Sequence, residues 1–223
     1  MEPLYRNITN IDWITVVILG SLALLTVGKY LFKNAFFNFL QLPFNAKYLS
    51  WNKKKGRLIQ GFHILLVLFQ LINYALLFFI ARSFIRYGTL DTSYEIFLAL
   101  ILGLLVFLLL KVGLQMGTGY FFENIELMGD LIFEKLTYFN YGSLLAFGGN
   151  ILLIYVFPGS ISLVYAIVFM VLAMNCIGLV KILRNYQKLI IGNAFYFILY
   201  LCTLEISPIA IIISYLNSWN LWK

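Results

Sequence analysis

Charged residues are scarce in this chain: Lys, Arg, Asp and Glu make up 11% of its 223 residues, against about 25% in soluble globular domains. The chain has one histidine and two cysteines, Cys176 and Cys202, which are too few for a clustered metal site or a disulfide framework. A Gly-x-Ser-x-Gly elbow and a phosphate-binding glycine loop are also missing. We therefore expect no soluble domain, no metal or cofactor and no enzymatic activity.

Apolar residues, in contrast, fill 62% of the chain, and the mean hydropathy is +0.92. Crossing a hydrocarbon core of about 30 Å takes roughly 20 helical residues. Six apolar runs of about that length are predicted to span a membrane: 12–32, 59–82, 95–120, 139–157, 161–183 and 194–216. The sequence thus predicts one all-α domain over residues 1–223, a polytopic helical membrane protein with short loops.

The basic residues of the loops predict the orientation, because Lys and Arg concentrate on the cytoplasmic side. Ten of them fall on one side of the six predicted spans: Lys33, Lys47, Lys53, Lys54, Lys55, Arg57, Lys135, Lys181, Arg184 and Lys188. The other side holds four: Arg6, Arg82, Arg86 and Lys223. Both termini are therefore predicted to be non-cytoplasmic. The net charge of +7 is interpreted as a band of basic residues at the cytoplasmic face that interacts with anionic lipid headgroups. No nucleic-acid recognition motif accompanies it.

Two charges interrupt the apolar runs, Glu205 in the last and Lys111 in the third. Ionisable residues inside membrane helices cost about 2.5 to 3.5 kcal/mol on insertion scales, and they usually face the protein interior. Pro208 follows Glu205 by three residues and frees the carbonyl of Leu204, as in the broken helices that line polar cavities of transporters. A static kink with a neutral or hydrogen-bonded Glu205 is the alternative.

Lys111 and Glu205 are placed at depths from which their side chains can meet, provided that spans three and six are neighbours. The alternative is that Lys111 extends to the headgroups and never meets Glu205. Gln115, one turn from Lys111, and Asn175 on span five add polar groups inside the membrane. Such groups either line a hydrophilic path or form hydrogen bonds between helices.

Two charged segments are predicted at the cytoplasmic face. One is a basic loop, and the other is a helix with an acidic and an apolar side, which is predicted to end a long third helix. The docking candidates in them are Lys53, Lys54, Lys55, Arg57, Glu123, Glu126, Asp130 and Glu134. Either they bind a partner, or the basic loop anchors to lipid and the acidic side is solvated or pairs with that loop. Partners are therefore expected to be the bilayer and other membrane proteins.

Small residues mark two helix faces that favour close packing in lipid. Gly142, Ala146 and Gly149 share one face of the fourth span. In the third, Gly113 and Gly117 form a GxxxG pattern, which predicts a central position for that span. The pattern does not separate internal packing from oligomer contact.

Three segments resemble a Bacteroidota integral-membrane family catalogued as domain of unknown function 4271. They are Leu108-Leu109-Leu110-Lys111-Val112-Gly113 with Phe121-Phe122, Tyr48-Leu49-Ser50-Trp51-Asn52-Lys53, and Leu199-Tyr200-Leu201-Cys202-Thr203-Leu204-Glu205-Ile206-Ser207-Pro208. The resemblance covers nearly the whole chain and implies a multi-helix protein of a Gram-negative inner membrane. It supplies no catalytic residues.

The expected function is that of a non-enzymatic subunit or assembly factor of a cell-envelope membrane complex. The alternative is a proton- or ion-coupled transporter that uses a buried Glu205 and Lys111 pair. The substrate, the partners and the oligomeric state do not follow from these residues.

Overall fold

A computed structural model describes residues 12–42, 61–87, 90–91, 93–121 and 125–185. The helices are α1 (Asp12–Leu31), α2 (Lys33–Leu40), α3 (Gly61–Tyr87), α4 (Tyr94–Phe121), α5 (Ile125–Ile151) and α6 (Ile161–Asn185). A π-helical turn, Leu152–Val156, extends α5. No strand occurs within these ranges, so the all-α prediction is confirmed for them.

Five of the helical segments are long and apolar enough to cross a membrane. They are Asp12–Leu31, Gly61–Ile85, Tyr94–Gly117, Met128–Val156 and Ile161–Ile182. Each corresponds to one of the first five predicted spans, and the sixth, 194–216, lies outside the described residues. The chain is therefore a multi-pass helical membrane protein.

Helices α3 and α5 form the centre of the bundle: α3 packs against α1, α4 and α5, while α5 packs against α3, α4 and α6. Near one end, Trp13 of α1 stacks against Phe79 and Phe97 at ring-centroid distances of 5.3 and 5.2 Å. Near the other end, Phe39 of α2 is fully buried and stacks edge-on against Phe62 of α3. We call this second end, where α1, α4 and α6 finish and α3 and α5 begin, the basic end.

Glycines set the close approach of α5 and α6. A Cβ added at Gly149 would lie 2.6 Å from Cγ2 of Ile167, and one at Gly178 would lie 2.5 Å from Cγ of Tyr138. A Cβ added at Gly142 would lie 2.6 Å from the hydroxyl oxygen of Tyr74. The predicted packing face of Gly142, Ala146 and Gly149 is therefore confirmed, and it lies in the core of the protein.

The central position predicted for the third span is wrong within the described residues. Only 6% of its most apolar stretch is buried, against 61% for α3. A Cβ added at Gly103, Gly113 or Gly117 would meet none of the described atoms within 4 Å. The centre belongs to α3 and α5 because their small and aromatic residues interlock, while α4 turns large apolar side chains outward.

The acidic segment is also placed differently from its prediction. Helix α4 ends at Phe121, and the segment from Ile125 onward is the start of α5, not the end of the third helix. Helix α5 therefore runs as one piece through the stretch that hydropathy assigned to a loop. The charged residues of this stretch dilute its hydropathy, so the apolar pattern becomes visible only near residue 139.

At the other end of the bundle, the turn between α3 and α4 is held by Asp91. Its carboxylate accepts hydrogen bonds from the Ser93 hydroxyl (2.7 Å) and amide (3.1 Å) and forms an ion pair with Arg82 (3.3 Å). These bonds, led by that of the Ser93 hydroxyl, hold the pKa of Asp91 below its usual range. The turn from α5 to α6 uses Gly159, whose φ of 83° is accessible to glycine at little cost.

Candidate functional site

Two lysines from neighbouring helices meet inside the membrane-spanning part of the bundle. The side chains of Lys111 on α4 and Lys135 on α5 lie close enough to interact electrostatically. Lys111 lies ten residues before the end of α4, and Lys135 ten residues after the start of α5. At 1.5 Å per residue, both lie about 15 Å from the helix ends and so at a similar depth.

Aromatic rings surround this pair of lysines. The ammonium of Lys111 lies 5.8 Å from the ring centroid of Phe107 and 5.9 Å from that of Phe139, which follows Lys135 by one helical turn. A cation over an aromatic ring gains about 0.5 to 2 kcal/mol. Neighbouring ammonium charges repel each other, so the rings offset part of the electrostatic cost of placing the two lysines together.

Among the residues that the structure describes, no carboxylate forms an ion pair with Lys111. Its predicted partner Glu205 lies outside the described residues, as does Pro208, so that pairing stays a prediction. The structure shows that Lys111 points toward α5, where its ammonium lies 5.9 Å from the ring centroid of Phe139 and near Lys135.

A third lysine lies on the far side of α5. The ammonium of Lys181 on α6 is 5.9 Å from the ring centroid of Tyr138. Between α5 and α6 runs a small cleft whose lining includes Lys135, Tyr138, Phe139 and Asn175. One lysine from each of α4, α5 and α6 thus surrounds the Tyr138–Phe139 pair. We call Lys111, Lys135 and Lys181 the lysine cluster.

Asn175, predicted as an intramembrane candidate, lines this cleft. Its amide donates to the Val171 carbonyl at 2.9 Å, and its side chain also hydrogen-bonds with the hydroxyl of Tyr74. That hydroxyl donates in turn to the carbonyl of Phe139 at 3.0 Å. Asn175 therefore takes part in a polar junction that ties α3, α5 and α6 together beside the lysine cluster.

A second amide makes a hydrogen bond between helices. Asn150 on α5 is fully buried, and its amide donates to the carbonyl of Asn73 on α3 at 3.0 Å. Hydrogen bonds of this kind are worth about 0.6 kcal/mol in membrane bundles. Of the two uses left open for amides inside the membrane, this position shows the bond between helices.

Gln115 is 2% exposed, although most of α4 faces outward. It lies one turn from Lys111, so the two belong to the inward-facing side of α4. Both polar candidates predicted on this span therefore lie on its inward-facing side.

The docking candidates have a different outcome. Lys53, Lys54, Lys55, Arg57 and Glu123 lie outside the described residues. Glu126 lies in the first turn of α5. Asp130 is partly buried, and Glu134 is only 1% exposed, so a solvated acidic face is wrong for Glu134. The physical reason is that α5 occupies the middle of the bundle and is covered on several sides.

Sequence reasoning missed Lys135, which it counted as a loop residue. The single histidine, His63, is 3% exposed and lies against the Phe133 ring at a centroid distance of 5.0 Å. Neither ring nitrogen of His63 has a hydrogen-bond partner within the described part of the chain. A helical wheel begun at residue 125 would have put Lys135 and Phe139 on one face. No group of three His, Cys, Asp or Glu suited to a metal occurs among the described residues.

Comparison with known proteins identifies a family. A family model described as Domain of unknown function (DUF4271) matches residues 14–216. No curated protein and no solved structure matches the chain. The match covers most of the chain and overlaps all five described spans, and it confirms the family indicated by the three segments of sequence.

Proposed function

Because the chain belongs to the DUF4271 family, whose description assigns no activity, we propose a function from the geometry: a non-enzymatic subunit or assembly factor of a membrane complex. The proposed location is the bacterial inner membrane, with the basic end in the cytoplasm. Among the described residues, the basic end carries Lys29, Lys33, Lys181 and Arg184. At the opposite end, Arg82 forms an ion pair with Asp91. This distribution agrees with the positive-inside rule.

The observation that carries the proposal is the exposure of α4. Its outward side chains are large and apolar along its whole length, from Leu98 and Leu102 to Leu110 and Leu114. Gly113 and Gly117 lie within this surface and leave a notch in which another helix backbone fits closely. A helix that contributes so little to its own bundle is well suited to contact a membrane helix of another protein.

The test is affinity purification of the tagged full chain from its native membrane in mild detergent, compared with Gly113→Leu and Gly117→Leu variants. Gly148→Leu is the matched control, because Gly148 is an exposed glycine on α5 with equally open space around it. We expect a stoichiometric membrane partner with the native chain and with the control, and loss of that partner from the two α4 variants.

Two results would count against this function. Recovery of the native chain alone, without a stoichiometric partner, contradicts a subunit. A lower yield of the Gly113→Leu protein itself, with Gly148→Leu unaffected, would mean that α4 packs inside its own chain. In that case the exposed face no longer supports a partner.

A second candidate function, proton- or ion-coupled transport, is favoured by the placement of Lys111 and Lys135 near each other inside membrane-spanning helices. In this scheme Glu205 titrates beside the proline kink and Lys111 compensates its charge. Glu205→Gln should then abolish transport in vesicles while the protein still folds. Lys111→Met should lower the yield and Glu205→Gln should restore it; additive effects of the two substitutions would refute the pairing.

A further inference from the structure

We propose that the interface between α3 and α5 binds a row of hydrogen-bonded water molecules, which leads from the basic end to the middle of α3. Five side chains of this interface carry buried polar atoms that have no hydrogen-bond partner among the described residues: His63, Gln70, Asn73, Asn140 and Asn150. None of the five is more than 5% exposed. We call these five residues the polar seam. The proposal holds whether the protein is a subunit or a carrier.

Ring contacts place the seam on the facing sides of the two helices. Phe133 of α5 lies against His63 of α3 with ring centroids 5.0 Å apart, and Phe147 lies against Phe69 at 5.6 Å. Asn140 is seven residues from each of the two α5 phenylalanines, so all three share one helix face. Asn140 therefore lies between the two ring contacts, on the side of α5 that meets α3.

The remaining residues extend the seam along α3. Gln70 follows His63 by seven residues and so shares its helix face. Asn73 follows Gln70 by three residues, and its backbone carbonyl accepts a hydrogen bond from the Asn150 amide at 3.0 Å. His63 is the third residue of α3 and Asn73 is the thirteenth. The seam therefore runs about 15 Å from the basic end into the bundle.

The unpartnered atoms of the seam include both donors and acceptors of hydrogen bonds. Gln70, Asn73 and Asn150 each present a side-chain oxygen, which only accepts. Asn140 presents its oxygen and its amide nitrogen, and the neutral ring of His63 presents one donor and one acceptor nitrogen. Polar atoms buried without partners are costly, and native proteins commonly satisfy them with internal water. Water both donates and accepts, whereas a bare cation would serve only the acceptors.

Two hydroxyl groups add acceptors near the middle of the seam. Thr137 and Ser143, three residues before and after Asn140, are fully buried. Their hydroxyls donate to the carbonyls of Phe133 and Asn140 at 2.7 and 2.6 Å, and each hydroxyl oxygen keeps lone pairs for a further bond. Polar groups distributed along the interface in this way suit a row of water molecules better than one compact ligand.

The first experiment measures contact with water directly. The full chain, labelled with nitrogen isotope in histidine and asparagine, is reconstituted in phosphatidylcholine bilayers. Solid-state NMR then records the transfer of magnetisation from water protons to the side-chain nitrogens. His63 is the single histidine of the chain, and the Asn73 signal is identified by its loss in Asn73→Leu. We expect transfer to both residues in the native chain. In Asn140→Leu, transfer to His63 should persist and transfer to Asn73 should be lost, because Asn140 lies between them in the seam.

The second experiment compares melting temperatures in detergent. In Asn140→Leu the new side chain has as many heavy atoms as the old one but no polar atom. If water bonds to Asn140, the substitution removes those bonds and the melting temperature falls, whereas removal of an unpartnered amide would raise it. Gln70→Met gives the same comparison at a second position of the seam. Asn34→Leu, at an exposed position on α2, is the control and should melt close to the native chain.

Four outcomes would overturn the proposal. One is the absence of transfer from water to His63 and Asn73 in the native chain. Another is transfer to Asn73 that persists in Asn140→Leu, which would mean that water reaches this residue by another route. The third is a rise in the melting temperature of both Asn140→Leu and Gln70→Met, which would mean that the seam is dry. The fourth is a melting temperature raised by sodium or potassium chloride but not by choline chloride, with the effect lost in Asn73→Leu. That result would assign the acceptors to a bound cation.

Discussion

Lys111 on α4 and Lys135 on α5 lie close enough to interact electrostatically across the interface between the two helices, and the ammonium of Lys111 lies 5.9 Å from the ring centroid of Phe139. Membrane proteins rarely place two like charges together without a shared counter-charge, because each charge alone is costly in a bilayer. The two lysines are therefore coupled electrostatically: the charge of each one raises the free-energy cost of the charge on the other.

That coupling predicts non-additive effects of Lys111→Met and Lys135→Met. Each substitution removes the same repulsion between the two lysines, so the double variant should deviate from the sum by at least about 0.5 kcal/mol. The measurement is a double-mutant cycle on the free energy of unfolding in detergent micelles. Lys111→Met combined with Lys29→Met is the control pair and should be additive. Additivity in the Lys111 and Lys135 pair would show that the side chains do not interact.

Gly149 should not tolerate a larger residue. In Gly149→Leu the new side chain would displace Ile167, whose atoms lie 2.6 to 2.9 Å from the position of the added Cβ. Overpacking of this kind costs about 1 to 3 kcal/mol. The melting temperature of the purified protein should fall, while that of Gly148→Leu, on the open face of the same helix, should stay close to the native value. Equal melting temperatures for the two variants would contradict the close crossing of α5 and α6.

Asn150 is expected to contribute modestly to stability. Asn150→Leu removes the hydrogen bond to the Asn73 carbonyl, so the free energy of unfolding should fall by about 0.6 kcal/mol. Asn34→Leu, which alters an exposed amide on α2, serves as the control. Unfolding in detergent provides the measurement, and a stability equal to that of the control would remove any structural role for this amide.

Asp91 should make stability depend on pH at the turn between α3 and α4. Its pKa in the folded protein is lowered, so its stabilisation is present above the unfolded pKa of about 4 and is lost as the pH falls through the folded pKa. The effect should be about 0.2 to 1 kcal/mol, because the ion pair with Arg82 is partly exposed to water. Melting temperatures measured from about pH 6 to about pH 2 should fall less in Asp91→Asn than in the native chain. Parallel curves for the two proteins would exclude Asp91 as the source.

Several features follow from the sequence by itself. Apolar length predicts the five spans that the structure describes, because a bilayer demands about 20 apolar residues per helix wherever the chain crosses. The packing face of Gly142, Ala146 and Gly149 could also be predicted from the sequence, since small residues at helical spacing in lipid have few uses other than close packing. The three segments of sequence were enough to indicate the family.

The tertiary structure decided which faces meet. In the structure, Lys135 lies in α5 and not in a loop, and Glu134 is buried. Helix α4 lies at the edge of the described bundle, with Lys111 near Lys135. The physical reason is that lipid is as apolar as the protein interior, so hydropathy records that a residue is inside the membrane and not which helix it faces. Contacts between helices depend instead on the shapes of side chains far apart in the chain, such as Gly149 with Ile167 and Asn150 with Asn73.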